Sequence, residues 1–409
     1  MRIFGKAGYT IALFALAACS PLQIGSRTID FGGGGGNPGQ NVPTQSFPNQ
    51  TMAPIQPTSA AQRFGRGPVQ VSLLLPLSGD PGVASVGQSL ANASRMAMAF
   101  IEANPNIAEN ITITLRDTGT SVPGATAAAS AAASEGARLI LGPLRADQVT
   151  AAGAVARSSG IPLIGFSNNP TAANPGVYLL SVLPDMEMKR SLNWIRAQGR
   201  RGIAGVFPAS EFGQVQETAF RQQAVAAGFA PNAVYTFSSV QEAQQIVNQA
   251  LPEIKKGMID TLFLPDRASA PSFGALLAQA GVGPDAVQIV GSADWEGDPA
   301  IAGSPGLAGA IYPAVDPAGM AAIRGDYQRQ FGGQPHALAT LAYTATILAN
   351  VKTLSLAPQP YNPALMTNGQ GFNGRDGVFR FLSNGRAEYA LVIKKVVAGG
   401  AQVVEGAKL

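Results

Sequence analysis

"VQVSLLLPL", Val69 to Leu77, is a nearly unbroken apolar run. A strand with one wet face alternates apolar and polar side chains, whereas a strand covered on both faces has no need to. The run therefore predicts a buried strand of a parallel sheet. Leu90, Ala93, Ala97, Phe100 and Ile101 follow at helical spacing, and "ITITLRD" (111–117) alternates as a strand. The Ala-rich stretch 125–134 predicts a helix, "ARLILGPL" (137–144) a strand and 147–159 a helix. "IPLIGFS" (161–167) and "GVYLLSVLP" (176–184) close this series. The rhythm resumes with helices over 186–198, 214–227, 242–254 and 273–279. Strands at "GIAGVFPAS" (202–210), "AVYTFSS" (233–239), "TLFLPDR" (261–267) and "AVQIVGS" (286–292) are interleaved with them. Two successive runs of strand–helix alternation predict an α/β chain with two doubly wound parallel-sheet lobes. The end differs: "VFRFLSNGRAEYALVIKKV" (378–396) is two alternating strands around Asn384-Gly385, a hairpin expected to add antiparallel strands to the second lobe.

Upstream of Val69 the texture changes. Met1 to Lys6 is short and basic, and 7–18 is mostly apolar, far below the ~20 residues of a membrane-spanning helix. A basic start, a short apolar stretch and small residues before a cut describe an export signal. Leu16-Ala17-Ala18-Cys19 resembles the lipobox of bacterial lipoproteins, which implies cleavage before Cys19 and acylation of its sulfur. Residues 1–18 are then a lipoprotein signal peptide. The Gly/Pro/Gln/Asn-rich segment that follows, 19–67, cannot bury enough apolar surface to offset its ordering entropy and predicts a disordered tether. Such a chain spans roughly 35–45 Å r.m.s.. The remainder, 68–409, is of ordinary size for a two-lobed unit.

Cys19 is the one cysteine, so no internal disulfide can form and neither a thiol nucleophile nor a Cys-based zinc site is expected. The formal charge of +4 includes Arg2 and Lys6 of the signal, and the other basic residues are scattered. No basic cluster points to nucleic acid. The single histidine, His336, stands at an expected helix start, and "GFSNN" (165–169) lacks the closing glycine of a nucleophile elbow. The chain is expected to be non-catalytic, with no cofactor and no metal. Asn49 and Asn110 head glycosylation sequons that are treated as coincidental.

The ordered series "VSLLLPLSG", "DTGT", "LILGPL", "IPLIGFSN" and "GVFRFLSNGRAEY" resembles the type I periplasmic binding proteins of the branched-chain amino-acid class, across 69–400. With the lipobox, the tether and "LILGPLRADQV", the chain more narrowly resembles the penicillin-binding protein activator lipoproteins. The resemblance implies two lobes joined by three crossing segments, placed near Leu183-Pro184, Tyr312-Pro313 and 358–363. Lobe 1 is then 69–183 with 314–357, and lobe 2 is 184–312 with 364–409.

Ligands of open α/β sheets bind beyond the carboxyl ends of the strands. The loops there offer Ser78, Arg145, Ser167 and Asn168 in the first lobe, and Asp266, Arg267, Asp294 and Trp295 in the second. Where the amino-acid binders place hydroxyls, Arg145-Ala146 stands here, so the cleft is expected to hold an anion against Arg145 or Arg267, some other small polar ligand, or nothing. Plainer roles stand beside these: Arg145 pairing with Asp147 or Asp117, Asp294 capping a helix, Trp295 as packing. The leading expectation is an outer-membrane, lipid-anchored protein on the periplasmic side that activates a peptidoglycan synthase. Ser20 after Cys19 supports that membrane, by the sorting rule of the lipoproteins it resembles. The alternative is the substrate-binding lipoprotein of an ABC transporter.

Overall fold

The computed structural model describes residues 62–409. The signal segment, Cys19 and nearly all of the tether fall outside them. The chain begins with β1 (Gln62–Phe64) and β2 (Val69–Leu75), and continues through α1 (Pro81–Ala103), β3 (Ile111–Asp117), α2 (Val122–Ser134), β4 (Leu139–Leu141), α3 (Ala146–Ser158), β5 (Leu163–Gly165) and β6 (Val177–Leu179). The sheet order is β1-β3-β2-β4-β5-β6, with all pairs parallel except the antiparallel β1. The unbroken run of β2 has a direct cause. Val71, Leu73 and Leu75 point into one apolar cluster and Leu74 into another on the opposite face. Both faces are covered, so the strand is mostly apolar, and the one polar side chain buried in it, Ser72, accepts from Arg116 Nε.

After Leu183 the chain enters a second layer system with α4 (Pro184–Ala197), β7 (Ile203–Pro208), α5 (Glu211–Ala226), β8 (Ala233–Phe237), α6 (Ala243–Lys255), β9 (Thr261–Phe263) and α7 (Ala270–Gln279). β10 (Gln288–Val290), the short α8 (Pro299–Ala302) and β11 (Ile311–Ala314) complete its parallel part. The same logic governs β7, whose Ala204 and Val206 join one cluster while Ile203 and Phe207 join the other. The chain then returns to the first lobe through α9 (Pro317–Phe331) and α10 (Ala339–Asn350), which packs on α1. The Ser94 and Thr346 hydroxyls meet at 2.7 Å between these helices. Asn110 is buried and its Nδ2 donates to the Asn350 carbonyl, which leaves the sequon there no access to solvent.

The last part departs from expectation. Short helices α11 (Lys352–Ser355) and α12 (Pro363–Met366) lead into β12 (Phe372–Gly374), β13 (Gly377–Phe381) and β14 (Ala387–Tyr389), a separate antiparallel sheet. Met366, Phe372, Phe379, Phe381 and Tyr389 are buried in the first lobe's cluster. The hairpin around Asn384-Gly385 therefore belongs to the first lobe. Its Gly385 carbonyl accepts from Leu179 N at 2.8 Å, along the edge strand β6. Only with β15 (Leu391–Val397) and β16 (Gly400–Lys408) does the chain rejoin the second sheet, whose order is β16-β15-β11-β10-β9-β7-β8. The last crossing thus lies at 389–391 and not at 358–363, because the aromatic side chains of β12–β14 fit the first core. The C-terminal hairpin of the second lobe is β15–β16, antiparallel to β11. At the other end, the domain starts before Pro68: β1 pairs with β3, Phe64 packs on the first core and Arg63 reaches Glu135 at 3.1 Å.

Candidate functional site

Each parallel sheet has the strand order 2-1-3-4-5 (β3-β2-β4-β5-β6 and β8-β7-β9-β10-β11). In that order the connections leave the sheet on opposite sides at the first strand, and a crevice opens between the loops after the first and third strands. Here those loops follow β2 and β4 in the first lobe, and β7 and β9 in the second. The strand-end loops of the two lobes also meet beside these. Asn169, in the loop after β5, donates from Nδ2 to Oε1 of Glu211, the first residue of α5, at 2.9 Å.

In the first lobe the loops are largely self-satisfied. The Ser78 hydroxyl is hydrogen-bonded to Asp117, whose Oδ1 also accepts from Leu77 N at 2.8 Å and Gly119 N at 2.7 Å. Burial opposes the Asp117 charge, but these bonds outweigh it and hold the carboxyl below its ordinary range. Gly142 has φ +83°, and a Cβ there would stand 2.1 Å from the Leu74 carbonyl, so only glycine turns the chain this tightly out of β4. Arg145 follows, and its Nε lies 3.3 Å from Asp147 Oδ1. Of its two plainer roles, the pair with Asp147 is the one present. Ser167 is buried and its Oγ accepts from Asn169 N at 3.1 Å, while Asn168 is exposed.

The second lobe is less settled. Asp266 accepts from Ser269 N at 3.0 Å and from Ser269 Oγ at 2.6 Å, which ties down the chain entering α7. Arg267 is exposed, with its Nε 3.9 Å from Asp298. Asp294 caps nothing: α8 is capped by Asp298, which accepts from Ala300 N at 2.8 Å. The Asp294 side chain reaches solvent but is walled in by protein. Desolvation raises its pKa, nearby Arg267 works against the rise and Asp266 adds to it. Trp295 is only 1% exposed and packs in the second core, its ring 6.0 Å from that of Tyr312. A Cβ on Gly291 would stand 2.2 Å from that indole. Trp295 therefore packs within one lobe and offers no stacking surface.

Glu187 was not among the sequence candidates. It sits in the first turn of α4, is 5% exposed, and accepts from Ala293 N through Oε2 at 3.0 Å. Burial pushes its carboxyl up to about 8, and the neighbouring charges of Asp294 and Asp185 push the same way. The bonds from Ala293 N and from Gln216 oppose that shift. In the sequence, Glu187 is one more acid in a helical first turn, where the macrodipole favours acids anyway. Nothing in "PDMEMK" (184–189) marks it as buried. No group of His, Cys, Asp and Glu among the described residues has the geometry of a metal site.

The family model for periplasmic binding proteins matches residues 68–401. No curated protein sequence matches the chain. Among solved structures, a branched-chain amino acid ABC transporter protein of Rhodospirillum rubrum superposes with a TM-score of 0.70 at 20% identity, over 82% of this chain and 99% of that one. An ABC transporter substrate-binding protein from Desulfitobacterium hafniense, in complex with Leu, gives 0.62 at 16% identity over the same shares. The LpoA C-domain from Haemophilus influenzae, a regulator of PBP1A, gives 0.61 at 17% identity, again over 82% and 99%.

Proposed function

We propose, from the premise that this chain belongs to the periplasmic binding protein family, that it is a solute receptor holding a small polar molecule between its lobes. One observation carries this. The strand-end loops of two sheets with the same order meet across a crevice, as the Asn169–Glu211 bond records. The crevice walls present charged and amide side chains rather than a closed apolar surface. A receptor gains about 2.7 kcal/mol of stability from solute at 100 times its Kd. A thermal-melt panel of L-leucine, benzoate, L-lysine and putrescine on the protein should therefore raise Tm by several degrees with at least one of them. A flat panel would count against the receptor.

A second reading is favoured by the likeness to the LpoA C-domain together with Cys19-Ser20: a lipid-anchored regulator of a peptidoglycan synthase at the outer membrane. The anchor separates the two. Palmitate labelling lost in Cys19→Ser establishes acylation. Fractionation with the inner membrane favours a receptor serving a permease, and fractionation with the outer membrane favours the regulator.

A further inference from the structure

We infer that the pole of the second lobe farthest from the cleft is a docking surface for an anionic lipid bilayer, whatever the cleft itself holds. The topology gathers this surface. In a parallel sheet each helix runs back against its strands, so the helix C-termini collect at the N-terminal end of the strands. There α4 closes with Arg196 in its last turn and leads through Arg200-Arg201 into β7, while α6 ends in Lys255 and is followed by Lys256. Contacts join these segments. Arg196 Nη1 donates to the Ala227 carbonyl beyond α5 at 3.0 Å, and Arg200 donates to the carbonyls of Asp260 and Pro284. A Cβ on Gly202 would stand 2.1 Å from the Met258 carbonyl, so the approach to β7 lies against the turn that follows α6.

The acids of this pole leave its charge in place. Asp260 accepts from Arg201 N and from Thr261 Oγ1, both at 2.8 Å, and Glu253 takes Lys256 at 2.9 Å. Of these acids only Asp285 is exposed. Arg196, Arg201 and Lys255 are exposed and have no carboxylate partner among the described residues. The macrodipole favours a cation in a last turn, which accounts for Arg196 and Lys255. It does not account for Arg200, Arg201 and Lys256, which lie beyond the helices. Nor does it make the same pole of the first lobe basic, where Arg138, Arg157 and Lys352 stand among Glu102, Glu109 and Glu135. Two apolar side chains protrude at the second-lobe pole, Met258 at 51% exposed after α6 and Val225 at 71% at the end of α5. They are too sparse for the contiguous apolar core of a protein interface. A bilayer needs no such core. Its headgroups meet spread cations with a layer of phosphodiester anions, and single apolar side chains enter the interfacial zone.

Sedimentation with vesicles tests this, using the chain from Ser20 to Leu409, which keeps every described element and omits Cys19 and the apolar segment 7–18. At low salt it should sediment with phosphatidylglycerol–phosphatidylethanolamine vesicles and not with phosphatidylcholine vesicles. Each cation near an anionic leaflet is worth about fivefold in partitioning. The variant Arg196→Gln/Arg201→Gln/Lys255→Gln should therefore lower partitioning by more than about tenfold at unchanged Tm, and about 0.5 M NaCl should abolish it. The first-lobe variant Arg138→Gln/Arg157→Gln/Lys352→Gln removes the same charge and should change partitioning by less than about threefold. Equal losses in the two variants would overturn the inference, because net charge alone would then account for the binding. Sedimentation untouched by the second-lobe variant would overturn it too, by placing the contact elsewhere. So would the absence of sedimentation with anionic vesicles, which would leave the pole to an acidic protein.

Discussion

Asp376 lies in the turn between β12 and β13, buried, with Thr340 Oγ1 donating to its Oδ2 at 2.9 Å. Burial pushes its carboxyl up to about 6, and the Thr340 bond recovers part of that. The folded state therefore holds a proton that the unfolded chain, titrating near 3.8, gives up earlier. Between those values the folded state binds more protons, so unfolding free energy falls as pH rises from about 4 to about 6, by ~3 kcal/mol. Asp376→Asn keeps an acceptor for Thr340 and removes the titration. Urea melts from pH 4 to 7.5 should show the variant flatter than the parent and more stable at the alkaline end. Equal slopes would mean the carboxyl is hydrated in the folded state. The case shows where residue-level reading stops. Asp294 and Asp266 were legible as strand-end acids because the strands themselves were legible. Burial of Glu187 and Asp376 depends on what the chain folds over them, and no local pattern encodes that.

Among elements, the parallel strands were legible because a strand buried on both faces writes a nearly continuous apolar run, as in Val69–Leu75. Asn384-Gly385 was legible as a turn for the same local reason, but not the sheet it joins. Alternation in "VFRF" (378–381) says that one face is buried and not against which lobe; the fit of Phe379 and Phe381 to the first core decides it. β1 was hidden altogether, since three residues make no period. That short strand should matter. Phe64 packs on the first core beneath Arg95, and Arg63 shares Glu135 with Arg116. A chain beginning at Pro68 loses these contacts and exposes the edge of β3. It should be less stable by about 2 kcal/mol and melt about 4 °C lower or more than one beginning at Gln62. Coincident melts would return 62–67 to the tether.

At the scale of the molecule, the lobes are tied unequally at their two sides. On the hinge side α4 is held to the β12–β14 sheet by Asp185–Arg386 at 2.8 Å and Lys189–Glu388 at 3.3 Å, with Arg380 also on Glu388. These acids are mostly buried, and the shared carboxylate makes the ties a network rather than isolated surface pairs. Across the mouth stands Asn169–Glu211, one bond between side chains on the surface. Motion should therefore turn about the hinge and break at the mouth. Glu211→Ala should cost less than ~1 kcal/mol of global stability, since the bond is exposed and single. It should nonetheless shift the population toward open lobes, because a bond that spans the two lobes is lost when they separate and so favours the arrangement seen here. Small-angle scattering of the protein should show a larger radius of gyration in Glu211→Ala than in the parent. Arg386→Ala should do the reverse, lowering Tm while leaving the mouth bond in place. A scattering curve unchanged by Glu211→Ala, with a Tm as reduced as that of Arg386→Ala, would mean that the mouth contact supports the fold and gates nothing.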